Sequence, residues 1–143
     1  MRNFAMLYPM FALALWTAIV VIVVTSTRGL SVLRRQVRTD DFRAGESSAV
    51  PASVSVANRN LVNLLELPTL FYVVCLLLFV TAGASRVAVL VAWAFVALRV
   101  LHSLIHLSYN RVMHRLFVFS LSCIALAVLW VMAFVHVAAN APM

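Results

Sequence analysis

Polar side chains recur at helical spacing inside two otherwise apolar segments of the chain. Arg59, Asn63 and Glu66 are spaced by four and three residues, which puts them on one face of a helix. A second set is spaced by three, four and four residues and consists of Arg99, His102, His106 and Asn110. Because charged groups inside an apolar span are costly, each of these residues is a candidate for binding or catalysis.

We expect the two sets to meet at the same depth. With a rise of about 1.5 Å per residue, Glu66 lies roughly 8 Å from the end of its segment, and His106 and His102 lie roughly 4–5 Å and 10 Å from the matching end of theirs. The sequence therefore predicts a polar pocket that opens at this end, in which Glu66 pairs with Arg99. Such a buried pair neutralises both charges, whereas either charge alone would be very unfavourable.

Two other interpretations of this cluster stay open. The polar residues could act only as a lock between the two helices. Alternatively, His102 and His106 are four residues apart and, together with Glu66, form a set of ligands that zinc or non-haem iron uses. The positive charge of Arg99 would repel a metal ion there, so the preferred interpretation includes no metal ligand.

The composition places these polar residues in a membrane. Of the 143 residues, 65% are hydrophobic and 10% are charged, whereas a soluble domain has about 25% charged residues. The mean hydropathy is +1.06. All 11 basic residues are Arg, and the net charge is +7. Most of them flank apolar segments, where they orient helices in the bilayer, so we predict no nucleic-acid partner.

Four apolar runs are long enough to cross a lipid bilayer. They cover residues 7–27, 61–82, 87–109 and 113–138, and a basic connection covers residues 28–59. We predict an all-α integral membrane four-helix bundle that forms a single domain over residues 1–143. The positive-inside rule puts both termini outside and the Arg-rich loops in the cytoplasm. The Arg-, Ala-, Val- and Leu-rich composition favours a bacterial inner membrane.

The remaining polar residues and the two cysteines have simpler interpretations. We expect His114 and Arg115 to contact lipid headgroups, and His136 to lie at the opposite membrane interface. Cys75 and Cys123 both lie inside apolar runs. They are expected to be small buried residues rather than a disulfide or a nucleophile.

Two stretches of the sequence resemble one known family. The stretch "RNLVNLLELPTLF" contains Arg59, Asn63 and Glu66 and is similar to the second-helix signature of the MAPEG family, the membrane-associated proteins in eicosanoid and glutathione metabolism. The stretch "LRVLHSLIHLSYNR" is similar to the third-helix segment of that family's microsomal glutathione transferases. The matching residues of the second stretch are Arg99, His102, Asn110 and Arg111.

The resemblance implies a homotrimer of four-helix bundles that binds glutathione between neighbouring subunits, near the cytoplasmic face. It also implies that Arg59, Asn63 and Glu66 hold glutathione and that Arg111 stabilises the glutathione thiolate. The other polar residues would line the same pocket, namely Arg99, His102, His106 and Asn110.

The sequence departs from the family pattern at three positions. Leu61 stands where leukotriene C synthase and its relatives carry Gln or His, and Leu104 and His106 stand where they carry Tyr. Two functions are therefore open. In one, the protein is a glutathione-dependent transferase or peroxidase, in which an Arg-stabilised thiolate attacks a small apolar electrophile that arrives through the bilayer. In the other, it is a non-catalytic scaffold or accessory subunit with the family's fold.

Overall fold

The apolar segments form helices in the computed structural model, which describes residues 3–43 and 50–140. Four long helices follow one another along the chain: α1 (Leu7–Leu33), α2 (Ala52–Val80), α3 (Arg86–Leu107) and α4 (Val112–Ala139). Short 3-10 turns lie at Phe4–Met6 and Thr39–Phe42. All four helices are long and apolar enough to cross a membrane. The chain is therefore an all-helical integral membrane protein, as its composition predicts.

The first two helices extend beyond the predicted apolar spans into the basic connection. α1 continues to Leu33, and α2 begins at Ala52, directly after Pro51. Proline suits the start of a helix, because its missing N–H would have no partner there. The extensions are held by a small apolar cluster of Val37, Val50 and Val54, against which Val32 and Phe42 pack. Residues 44–49 of the connection, which include Glu46, lie outside the described residues.

A tight turn reverses the chain between α2 and α3. Ala82 adopts a left-handed conformation with φ of 59°, and the N–H of Gly83 donates to the carbonyl of Leu78 at 2.8 Å. This bond satisfies one of the carbonyls that the end of a helix leaves unpaired. The hydroxyl of Ser85 then accepts from the N–H of Ala88 at 3.1 Å and caps α3. The turn places α2 and α3 side by side and antiparallel.

An apolar core occupies most of the bundle. The rings of Phe71 on α2 and Phe95 on α3 stack with their centroids 4.5 Å apart. Leu13 on α1 and Leu129 on α4 are fully buried against the same core. Many large apolar side chains on the outer surface, such as Phe134, are exposed in the single chain. A bilayer surrounding the bundle would cover them.

Buried polar side chains gather toward one end of the bundle, where the connections 34–51 and 108–111 join the helices. We call this the basic end. The opposite end, which holds the α2–α3 turn and the last turn of α4, is called the closed end. The largest buried polar residues at the basic end are Asn60, Arg99, His102 and His106. The basic end is therefore the part of the fold that positions a candidate site.

Candidate binding site

The inner face of α2 at the basic end presents an asparagine that the sequence analysis did not single out. Asn60 is fully buried, and its Nδ2 donates to Oγ of Ser103 on α3 at 2.7 Å. Its Oδ1 is buried without a hydrogen-bond partner among the described residues. Asn60 follows the helical spacing of the buried residues Ala57 and Leu64, and that periodicity could have identified it.

Arg99 takes a different partner from the predicted one. Its guanidinium is fully buried, and Nη2 donates to the backbone carbonyl of Asn63 on α2. Its Cζ lies 5.6 Å from the centroid of the Phe119 ring on α4, a cation–π contact. The side chain of Glu66 is exposed, and no ion pair joins it to Arg99 within the described ranges. The predicted Glu66–Arg99 pair is wrong. The orientation of α2 leaves the side chain of Glu66 exposed, and Arg99 contacts the backbone of α2 at Asn63 instead.

The two histidines of α3 are buried next to each other. His102 is 4% exposed and His106 is 1% exposed, and their rings meet edge to face with centroids 6.0 Å apart. Both ring nitrogens of His106 are buried without a hydrogen-bond partner in the part of the chain described here. No group of three His, Cys, Asp or Glu residues that could hold a metal ion occurs there either. The alternative of a metal site formed by this pair and Glu66 therefore has no structural support.

A pocket of about 290 Å³ opens between α2, α3 and the start of α4 at the basic end. We call it the polar pocket. It is lined by Val56, Arg59, Val62, Asn63, Glu66, His106, Asn110 and Arg115. The structure thus brings together five of the residues that the sequence analysis selected. Both charged residues of α2 in this lining, Arg59 and Glu66, have exposed side chains, so they can meet a ligand from outside the bundle.

The two arginines at the start of α4 are placed differently. Arg111 precedes the first turn of α4, is exposed, and is not among the lining residues of the polar pocket. Arg115 is half-buried and lines the pocket, and its Nη1 donates to Oδ1 of Asn110 at 2.5 Å. Asn110 has a φ of 49°, a left-handed conformation that asparagine tolerates well. Arg115, which was expected to contact lipid headgroups, thus also belongs to the lining of the polar pocket.

A second, smaller pocket adjoins the polar pocket. It has a volume of about 160 Å³, and we call it the side pocket. It is lined by Asn63, His102, Val112, Arg115, Leu116 and Phe119. Asn63 and Arg115 belong to both linings, so these two residues form the boundary between the pockets. Of the predicted site residues, Arg99 lines neither pocket and lies behind them in the bundle.

Comparison with protein families identifies the chain. The model of the MAPEG family matches residues 6–135, which include all four helices almost entirely and every residue of both pockets. The chain belongs to the MAPEG family. Neither a comparison with curated proteins nor one with solved structures gave a significant match. MAPEG membership confirms the resemblance that the two sequence stretches indicate and agrees with the four apolar helices.

Proposed function

We propose that this MAPEG protein is a membrane-bound glutathione-dependent transferase or peroxidase, and that glutathione binds in the polar pocket. Glutathione has two carboxylates, one amino group and one thiol. The pocket offers the Arg59 guanidinium for a carboxylate, the Arg115 guanidinium for the thiolate, and the Glu66 carboxylate for the amino group. This match of charges at one end of an otherwise apolar bundle is the observation that carries the proposal.

Each charged group of the pocket has a role in this proposal. Arg59 binds a carboxylate of glutathione, because a guanidinium can donate two parallel hydrogen bonds to a carboxylate. Glu66 accepts a hydrogen bond from the amino group. Arg115 stabilises the thiolate, since it lines the pocket and Asn110 holds its guanidinium in place. Arg111, to which the family resemblance gives that role, lies outside both linings.

Stabilising the thiolate is what makes the pocket catalytic. A free thiol has a pKa near 8.5, so about a few per cent is ionised at neutral pH. A guanidinium beside the sulfur favours the charged form, and lowering the pKa by one or two units corresponds to about 1.4 kcal/mol per unit. With the shift of two units, most of the bound thiol would be thiolate at neutral pH. The thiolate sulfur forms a bond to an electrophilic carbon and displaces its leaving group. With a peroxide, the sulfur attacks one oxygen, the O–O bond breaks, the released alkoxide takes up a proton, and a second glutathione converts the resulting sulfenic acid to the disulfide and water.

The proposed assembly and orientation follow from the same residues. The exposed side chains of Arg59 and Glu66 suit a pocket that a neighbouring subunit completes, so we infer a homotrimer as in the family resemblance. By the positive-inside rule the basic end faces the cytoplasm and both termini lie outside. The Arg-, Ala-, Val- and Leu-rich composition favours a bacterial inner membrane. Glutathione then enters from the cytoplasm, and the apolar electrophile enters from the lipid bilayer.

Titration of the detergent-solubilised protein with glutathione tests the proposal. Calorimetry reports binding, and ultraviolet absorbance reports the thiolate. We expect saturable binding with a thiolate signal in the wild type, loss of most of that signal in Arg115→Gln, and little change in Arg111→Gln. The two variants remove the same charge four residues apart, so they separate a role in the pocket from a general effect of net charge.

Two outcomes would contradict the proposed roles. A thiolate signal that disappears in Arg111→Gln and persists in Arg115→Gln would return the activating role to Arg111. No binding to the wild type at millimolar glutathione would contradict the whole proposal.

A non-catalytic MAPEG protein is the second candidate, and one observation favours it. The Asn60–Ser103 hydrogen bond and the contact of Arg99 with the Asn63 carbonyl both join α2 to α3 with protein groups alone. Some of the buried polar residues therefore stabilise the fold whether or not a ligand binds. In this case, the same titration gives no glutathione binding.

A further inference from the structure

We propose that a groove along the last turns of α1 binds one anionic phospholipid, with the lipid phosphate at Arg28 and an acyl chain along the apolar part of the groove. We call it the α1 groove. Its described lining residues are all different from those of the polar pocket and the side pocket. The inference therefore goes beyond the proposed glutathione chemistry and does not depend on it.

The α1 groove lies between the end of α1 and the 3-10 turn Thr39–Phe42. It has a volume of about 580 Å³, twice that of the polar pocket. Val24 and Val32 line it from α1, and Phe42 lines it from the turn. A Cβ atom added to Gly29 meets nothing within 4 Å, so this glycine leaves the middle of the groove open. A groove of this size and lining can receive an extended apolar chain.

Arg28 lies at the expected level of the lipid phosphates. The hydrocarbon core of a bilayer is about 30 Å thick, and a helix crosses it in about 20 residues. The apolar run that begins with α1 at Leu7 ends at Thr27, and Arg28 is the next residue. The part of the groove at Val24 therefore lies beside the acyl chains, and the part at Thr39 lies among the headgroups.

The groove offers donors for a phosphate group. Cζ of Arg28 lies 5.1 Å from the centroid of the Phe42 ring, a cation–π contact that holds the guanidinium at the groove. A guanidinium has five N–H donors, so Arg28 can bind phosphate oxygens in addition to its contacts within the chain. The hydroxyl of Thr39, which also lines the groove, can donate to another phosphate oxygen.

The local charge favours an anionic lipid over a zwitterionic one. Residues 28–43 hold five Arg and two Asp. Arg34, Arg35 and Arg38 are exposed there. A cluster of basic residues directly after a membrane span attracts anionic headgroups. A zwitterionic lipid carries a cationic group close to its phosphate, which this cluster repels. The expected lipid therefore has a phosphate and no cationic group, as phosphatidylglycerol does.

A lipid in the groove would also stabilise the connection between α1 and α2. Val32 and Phe42 line the groove, and they also pack against the small apolar cluster of Val37, Val50 and Val54. Val54 belongs to the first turn of α2. A lipid in contact with Val32 and Phe42 therefore supports the residues that hold the start of α2. Since a ligand that binds only the folded protein stabilises it, the bound lipid should raise the Tm.

Native mass spectrometry of the detergent-solubilised full chain tests the proposal. The probe is an equimolar mixture of phosphatidylglycerol and phosphatidylcholine that carry the same palmitoyl and oleoyl chains. We expect one phosphatidylglycerol per chain, favoured over phosphatidylcholine by roughly fivefold. Arg28→Gln should remove most of this preference. The matched control Arg34→Gln removes the same charge at an exposed position outside the groove lining, and it should keep most of the preference.

Filling the groove gives a second test, which leaves the charge unchanged. Gly29→Leu places a side chain in the open middle of the groove and should lower the phosphatidylglycerol occupancy several-fold, without lowering the Tm in lipid-free detergent. Ser26→Leu introduces the same side chain at an exposed position of α1 outside the groove lining. Added phosphatidylglycerol should raise the Tm of the wild type and of Ser26→Leu, but not that of Gly29→Leu.

Four outcomes would overturn the proposal. Equal occupancy by the two lipids in the wild type, or equal losses in Arg28→Gln and Arg34→Gln, would show that the groove does not select an anionic lipid. Displacement of the lipid by millimolar inorganic phosphate would indicate a site for the free anion. If Gly29→Leu yields smaller oligomers with unchanged lipid occupancy, a second copy of the chain covers the groove instead.

Discussion

His136 near the closed end and His106 near the basic end differ in their hydrogen bonding. At the closed end, Nε2 of the half-buried His136 lies 3.0 Å from the carbonyl of Thr81, so the ring joins α4 to the α2–α3 turn. At the basic end, His106 is 1% exposed and neither ring nitrogen has a partner in the described part of the chain. Buried polar groups in folded proteins are normally paired, so an unpaired one requires an explanation. The closed end pairs its histidine within the fold, whereas the basic end leaves both His106 ring nitrogens without a partner among the described residues.

The His136 ring is also packed tightly against the α2–α3 turn. A Cβ atom added to Gly83 would lie 2.5 Å from Cδ2 of the His136 ring, so the ring rests directly on the glycine. Nδ2 of Asn3 donates to the carbonyl of Ala84 at 3.0 Å and ties the start of the chain to the same turn. At the basic end, two adjoining pockets have His106 and His102 in their linings. The lining of the pocket beside Asn3 and Arg86 at the closed end does not include His136. This difference predicts that substitutions at the closed end act on stability, and that substitutions at the basic end act on binding.

The largest stability effect is expected for Gly83→Ala. The added methyl group collides with the His136 ring, and overpacking of this kind costs about 1–3 kcal/mol. Thermal unfolding in detergent should show a lower Tm. Gly29→Ala is the matched control, because a Cβ there meets nothing within 4 Å, and the change should leave stability the same or slightly higher. If His136→Ala does not restore the Tm of Gly83→Ala, the ring contact is not the cause.

A smaller loss is expected when one partner of the buried Asn60–Ser103 hydrogen bond is removed. Ser103→Ala leaves the Asn60 amide buried and unpaired, which costs about 1–2 kcal/mol. Ser120→Ala, at an exposed position on α4, provides the control and should not change the Tm. The double variant Asn60→Leu/Ser103→Ala removes both polar groups and should recover most of the loss. An additive effect in the double variant would show that the hydrogen bond is not what matters.

The smallest stability effect, and the most direct test of the comparison, is expected for the histidines themselves. His136→Leu breaks the contact with Thr81 and should cost about 0.5–1.5 kcal/mol. His106→Leu breaks no hydrogen bond to a described residue, so the unliganded protein should keep its stability or gain a little. We expect His106→Leu to weaken glutathione binding in calorimetry, whereas His136→Leu leaves binding unchanged. Equal losses of stability in the two variants would remove the distinction between the two ends.

Much of the architecture is predictable because it depends on properties that can be read along the sequence, namely the length, hydropathy and spacing of its residues. The number of helices follows from the length and hydropathy of four apolar runs. The helix ends are less predictable. α2 starts at Ala52, inside the segment that was predicted to be a basic connection. The helix extends this far because Val54 and Ala57 are buried against neighbouring parts of the fold. Spacing along a helix also groups Arg59, Asn63 and Glu66 correctly, and all three line one pocket.

The site was less predictable, because spacing defines a face but not the direction in which the face points. Glu66 was expected to face Arg99, yet α2 turns Asn60 inward and leaves Glu66 exposed. Glu66 was predicted as the partner of Arg99 because it is the nearby side chain of opposite charge. A backbone carbonyl, that of Asn63, is the partner in the structure, and the residue types do not reveal such a contact.

The sequence alone determined that this protein has four helices long and apolar enough to cross a membrane, and that it belongs to the MAPEG family. It also determined that the candidate polar residues group on two of these helices. Apolar length, helical period and short motifs are local properties. The tertiary structure decided which polar groups are buried, which are paired, and which face a pocket. The two arginines before and within α4 illustrate the reason. Arg111 precedes the helix, so the turn sets its direction, while Arg115 lies inside the helix, which turns it toward the pocket.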